Sequence, residues 1–234
     1  MFKKVINTVK FLRVFVTLIR DPTRLDLVLA LGDDMDGEDP LDTVPLLRKR
    51  PEAVRLFTEP LKHIRVDLKA MKTLPPGTLG RVFADQMEVW GLKQEDTYHT
   101  PVAPTNTAKF RIHMEQTHDL WHVLTGFGTD VKGEIGLQAF YIAQLWTPLS
   151  FALVSVGFLH TLFYRLNEGQ ALVSEVARGW LLGKRSRPLF GVDWNELWSV
   201  PLEEVRRQFH LDVDAAHAAV PVGDLGDLPQ PKAA

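Results

Sequence analysis

Hydrophobic residues recur three or four positions apart through most of this chain, the period of an α-helix. In the first such stretch Phe2, Val5, Ile6, Val9, Leu12, Val16 and Ile19 share one helical face, while Lys3, Asn7, Lys10, Thr17 and Arg20 share the other. Asp21-Pro22 ends it, because a residue before proline resists helical geometry. Residues 43–73 repeat the pattern through Leu46, Leu47, Val54, Phe57, Leu61, Ile64 and Leu68. A turn at Leu74-Pro75-Pro76-Gly77-Thr78 follows, and Leu79, Val82, Phe83, Met87 and Trp90 carry the next helix to Gly91. Another helix is predicted from a cap at Thr105 or Thr107 to Gly126, with Arg111, Glu115, His118 and His122 on its inward face. Residues 126–133 then turn the chain, leaving Glu134 in the early turns of a further helix.

From Ile135 to Tyr164 there is no Asp, Glu, Lys or Arg. Such a run invites a membrane span. Its polar interruptions (Gln138, Gln144, Ser150, His160 among them) and Pro148 favour two buried helices, the second capped by Thr147 with proline at its first position. An apolar tunnel between them would suit a long hydrocarbon ligand. Leu172, Val173, Val176, Trp180 and Leu181 form a later stripe, predicted to break at Gly183 and Lys184-Arg185-Ser186-Arg187. Those cations fit a solvated turn or a phosphate-bearing head group. Asp193-Trp194 and the stretch Ser199–Glu204 read as helix starts.

These elements make the chain all-α: a single-domain helical bundle with a buried apolar helix pair and a disordered C-terminal tail. The expected organisation is an amphipathic membrane-associating helix over 1–22, a helical domain over 23–210 and the tail over 211–234. Lys3, Lys4, Lys10, Arg13 and Arg20, with no acidic residue among the first twenty, suit an anionic membrane surface; packing on the core is the alternative. The acidic cluster around Gly37 (Asp33, Asp34, Asp36, Glu38, Asp39, Asp42) lacks the register of a calcium loop. At 234 residues and 45% hydrophobic content the chain can bury a sizeable core. A net charge of −2 gives no reason to expect nucleic acid, and with no cysteine any metal must sit among nitrogen and oxygen ligands.

The chemistry concentrates at His118-Asp119-Leu120-Trp121-His122 and, after eleven residues, Glu134. Histidines at i, i+4 project from one helical face and can hold a divalent cation between them. The spacing is that of the H-E-x-x-H protease helix, but Asp119 is a methylene shorter than the protease's glutamate and suits a ligand or orienting role better. Glu115, one turn earlier, is placed to receive a ring N–H; a surface pair with Arg111 is the competing reading. Two histidines satisfied by ordinary helix contacts remain the plainer alternative to a metal site.

With these residues in view the chain resembles the ubiquinone (coenzyme Q) biosynthesis protein four family, whose signature H-D-x-x-H, eleven residues, E is matched by His118, Asp119, His122 and Glu134. Leu74-Pro75-Pro76-Gly77-Thr78-Leu79-Gly80-Arg81, Trp121–Gly126, Gly133-Glu134 and Gly191-Val192-Asp193-Trp194 extend the resemblance over residues 40–210. It implies an α-helical protein attached peripherally to a membrane. The implied site is a metal held by His118, Asp119, His122 and Glu134, zinc by resemblance, with iron, manganese, cobalt and magnesium open. The implied activity is oxidative decarboxylation at ring C1 of a prenylated hydroxybenzoate-type precursor. The competing implication is a non-catalytic scaffold that binds quinone intermediates and organises the biosynthetic complex around a structural metal. Expected partners are the prenylated quinone precursor, a membrane surface, other quinone-biosynthesis enzymes and a second copy of the chain as a homodimer. The expected location is the cytoplasmic face of a bacterial inner membrane, or the matrix side of the mitochondrial inner membrane.

Overall fold

The structure, a computed structural model, describes residues 2–24, 26–28, 39–44, 46–92 and 105–221, with side chains from residue 9 onward in the first helix. The acidic cluster therefore lies mostly outside the described residues. Among them the chain is helical, and its one isolated bridge joins Thr78 to Pro201. The longer helices are α1 (Phe2–Arg20), α2 (Pro40–Thr43), α3 (Pro51–Thr58), α4 (Leu68–Lys72), α5 (Leu79–Trp90) and α6 (Asn106–Thr125). They are followed by α7 (Val131–Leu145), α8 (Pro148–Tyr164), α9 (Gly169–Arg185), α10 (Leu202–Gln208) and α11 (Val213–Ala219).

Local chemistry sets these boundaries. Thr105, Asp130, Thr147 and Asp212 each accept a backbone N–H in the first turn of the helix they open. Gly91 and Gly126 close α5 and α6 in the left-handed conformation that glycine adopts without steric cost. The long helical stretch expected over 43–73 is instead interrupted. Helix α3 starts at Pro51 and stops at Thr58, because Glu59 must be extended ahead of Pro60. The chain then runs without helix to Asp67. Its backbone donors find side-chain partners: Ile64 N–H donates to Gln116 Oε1 and Arg65 N–H to Asn195 Oδ1.

Two cores result. The main one gathers Phe83, Met87, Leu120, Trp121, Leu124, Leu137, Phe140, Phe190 and Trp194 between α5, α6, α7 and the chain after α9. Helix α9 lies against α7 so closely that a Cβ at Gly179 would come 2.0 Å from the Gly136 carbonyl oxygen, and one at Gly183 2.7 Å from Ala143 Cβ. Gly183 thus sits inside α9, which ends at Arg185 with Ser186 extended, so the break falls within the expected basic segment but two residues after the glycine. The second core is smaller: Leu18 of α1 packs on Leu153 and Val156 of α8, and His160 Nδ1 meets the Ile19 carbonyl at 2.9 Å.

The charge-free run does form two helices meeting at Thr147-Pro148, but only α7 is buried around its circumference. Helix α8 exposes Phe151, Phe158, Leu162, Phe163 and Tyr164, because α1, α7 and α9 together cover only part of its surface. The expectation of a buried pair therefore holds for one helix and fails for the other. At Gly157 the two pack without a gap, a Cβ there reaching 2.7 Å from Ile135, so no tunnel runs between them at that level. Order also persists beyond residue 211: Asp212 caps α11, Ala216 is buried, and Arg178 Nε donates to the Val220 carbonyl at 2.8 Å. Residues 222–234 lie outside the described residues.

Candidate metal centre

His118 and His122 lie one turn apart on α6, and Glu134 sits in the first turn of α7. The short turn after Gly126 folds α7 back so that ligand atoms of all three fall within 4.8 Å of one another. Glu134 Oε1 is 3.2 Å from His122 Nε2, and Oε2 is 3.7 Å from His118 Nε2. His122 is 1% exposed, whereas His118 and Glu134 are 36% and 37% exposed, so the cluster is closed on one side and open to solvent on the other.

The histidines are held from behind. His122 Nδ1 lies 3.1 Å from the Phe127 carbonyl; since a carbonyl only accepts, Nδ1 carries the hydrogen and Nε2 offers a lone pair. His118 Nδ1 lies 3.5 Å from the Tyr141 hydroxyl. The His118 and His122 rings meet edge to face at 4.8 Å, and Trp90 walls the site 5.7 Å from His122. Removal from water and the neighbouring His122 hold His118 below the ordinary histidine value. Burial also acts to lower His122, but Glu134 beside it and the Phe127 carbonyl outweigh that and raise it. Burial would raise Glu134; the two imidazoles overcome it and keep the carboxyl below its usual range. Burial pushes the Tyr141 phenol well above its ordinary value, so it stays protonated.

A metal fits this donor set. His122 Nε2 is buried and faces Glu134 Oε1 at 3.2 Å, two lone-pair atoms that need a proton or a cation between them. Two imidazoles and a carboxylate with an open side suit zinc, iron, manganese or cobalt. Of the four expected ligands, His118, His122 and Glu134 come together. Asp119 is outside that three-residue group, half-buried and close enough that its charge acts on both histidines. Glu115 does not back either ring; it pairs with Arg111 at 2.9 Å on the surface, and Arg111 likewise points away from the site. Sequence reasoning missed Tyr141, although it lies two turns after Glu134 on one face of α7, and it missed Trp90, which carried no local signal.

Residues 4–214 match the model of the family described as coenzyme Q (ubiquinone) biosynthesis protein Coq4. The chain belongs to this family. Two curated relatives are a ubiquinone biosynthesis protein COQ4 homolog, mitochondrial, from Danio rerio and a ubiquinone biosynthesis protein COQ4, mitochondrial, from Yarrowia lipolytica. The first is 25% identical, covering 84% of this chain and 73% of its own length. The second is 26% identical over 82% of this chain and 74% of its own length. A crystal structure from Nostoc punctiforme, of a protein assigned to ubiquinone biosynthesis, superposes with a TM-score of 0.76 at 30% identity, over 88% of this chain and 99% of that one. Membership of the family supports a role in ubiquinone biosynthesis. Those curated relatives are named as mitochondrial, and no helix among the described residues is long and apolar enough to cross a membrane.

Proposed function

We propose that this protein is a metal-dependent enzyme that oxidatively decarboxylates ring C1 of a prenylated hydroxybenzoate-type precursor of ubiquinone. The observation that carries the reading is the buried Nε2 of His122 facing Glu134 at 3.2 Å in a half-open two-histidine, one-carboxylate cluster. The ring carboxylic acid, dioxygen, two electrons and two protons yield the phenol, carbon dioxide and water, so dioxygen and a two-electron donor are required co-reactants. A bound divalent ion would supply Lewis acidity or redox chemistry at the ring substituents. The chain's own groups bind and orient: His122 anchors from the buried side, His118 and Glu134 face the open side, and Asp119 adds negative charge beside them.

The outer faces of α1 and α8 support a membrane surface as the place where it works. Helix α8 turns Phe151, Phe158 and Leu162 outward in one stripe and ends in Phe163 and Tyr164, with Leu166 just beyond. At its other end Trp146, in a left-handed conformation unusual for an aromatic residue, packs with Phe151 and Trp180 while half exposed, and Lys184 lies over the Trp180 ring. Beside them α1 exposes Val9, Leu12 and Val16 between Lys10, Arg13 and Arg20. Apolar side chains among cations match an anionic bilayer, in which the prenyl tail of the substrate would remain.

That same exposed face favours a second reading, a scaffold presenting quinone intermediates to other biosynthetic enzymes with a structural metal. Purified protein loaded with each metal in turn, given a prenylated hydroxybenzoate, dioxygen and a reductant, should release carbon dioxide and form the ring hydroxyl. His122→Ala should do neither. Absence of turnover with every metal, alongside ligand retention, would leave the scaffold.

A further inference from the structure

We infer that Tyr141 is the positioning residue for His118: its buried hydroxyl engages Nδ1 and so keeps Nε2 directed at the metal position beside Glu134. The inference rests on the metal reading above. A neutral imidazole presents two tautomers and two ring orientations, and a metal site needs one of each. His122 has both fixed by burial and by the Phe127 carbonyl. His118 is on the open side with a third of its side chain in water, so burial alone does not fix it.

Tyr141 supplies the constraint. Its hydroxyl is 3.5 Å from His118 Nδ1, a separation that a small rotation of the more exposed imidazole shortens, and the two rings lie 22° from parallel. The tyrosine itself is fixed, 2% exposed and stacked at 4.6 Å on Trp121, which is fully buried. With hydrogen on Nδ1 the imidazole donates to the phenol oxygen, leaving Nε2 with its lone pair towards Glu134. Glu134 and Tyr141 stand two turns apart on α7, so one helix contributes both a ligand and the group that aims a ligand of the opposite helix.

Tyr141→Phe removes only the oxygen and keeps the ring against Trp121. The full chain, stripped and titrated with zinc or cobalt, should bind each about 10- to 100-fold more weakly than wild type. The visible spectrum of the cobalt form should shift, and the metal-free melting temperature should stay unchanged. Wild-type affinity and an unshifted cobalt spectrum would overturn the inference. So would a fall in metal-free stability that accounts for the whole loss of affinity, since that assigns Tyr141 to packing. His122→Ala titrated alongside separates the two readings: if it too binds metal as wild type does, the metal site itself is wrong, whereas loss there with an unaffected Tyr141→Phe removes only the role of Tyr141.

Discussion

Helices α7 and α8 are consecutive, uncharged after Glu134, and similar in length, yet one is sealed in the main core and the other shows half its circumference to the outside. The difference lies in their neighbours. Helix α7 has α6, α8 and α9 around it, the last drawn to van der Waals contact by Gly136, Gly179 and Gly183. Helix α8 has α7, α1 and part of α9 on its inner side, and its outer stripe stays exposed among the described residues. Apolar composition therefore reports that a helix avoids water, not what it is covered by; protein serves for α7, and on our reading lipid serves for α8.

Truncations along this gradient test it. Phe140→Ala, emptying a fully buried site in the main core, should destabilise by about 4 kcal/mol in chemical denaturation. A second test uses His113, buried in that core, where desolvation lowers its pKa from 6.5 to about 4 while Nε2 accepts the Gly191 N–H. The unfolded chain takes up that proton more readily than the folded one, so stability should hold above pH 6.5 and fall as pH drops towards 4. The loss should reach about 3 kcal/mol, since each tenfold weakening of proton binding is worth about 1.4 kcal/mol. His113→Gln should flatten that part of the profile. Leu18→Ala, in the thin core between α1 and α8, should cost about 2 kcal/mol, at the low end for such truncations, because a lightly covered site collapses more easily. A cost matching that of Phe140→Ala would mean that the two cores are equivalent.

Phe158→Ser, on the outer face of α8, should change stability by no more than about 0.5 kcal/mol. Its effect belongs instead to membranes. Phe158→Ser and Phe163→Ser together should weaken sedimentation with anionic liposomes, and wild-type binding should weaken as salt rises. Unchanged liposome binding would remove the lipid from the comparison and leave protein partners for this face.

The helical periods, caps and breakers of α5, α6 and α8 are legible from the chain because they are local: Thr105, Gly126 and Thr147 act within one turn of themselves. So is the pairing of His118 with His122, which helical geometry alone places on one face. The unwound segment before Asp67 was not, since its apolar spacing mimics a helix while Pro60 and the distant acceptors Gln116 and Asn195 hold it open. Nor was the tail boundary, because Arg178, buried on α9, is what fastens the end of α11.

By itself, then, the sequence determined an all-α chain, the ends of its central helices, and a set of nitrogen and oxygen donors at metal-binding spacing. Only the tertiary structure decided that Glu134 reaches back between both histidines, that Tyr141 rather than Glu115 stands behind His118, and that α7 is enclosed while α8 is not. Those outcomes depend on how closely helices far apart in sequence approach, which is set by glycine contacts and side-chain packing across α6, α7 and α9. A one-dimensional pattern carries the period of each helix but not the identity of the surface it meets.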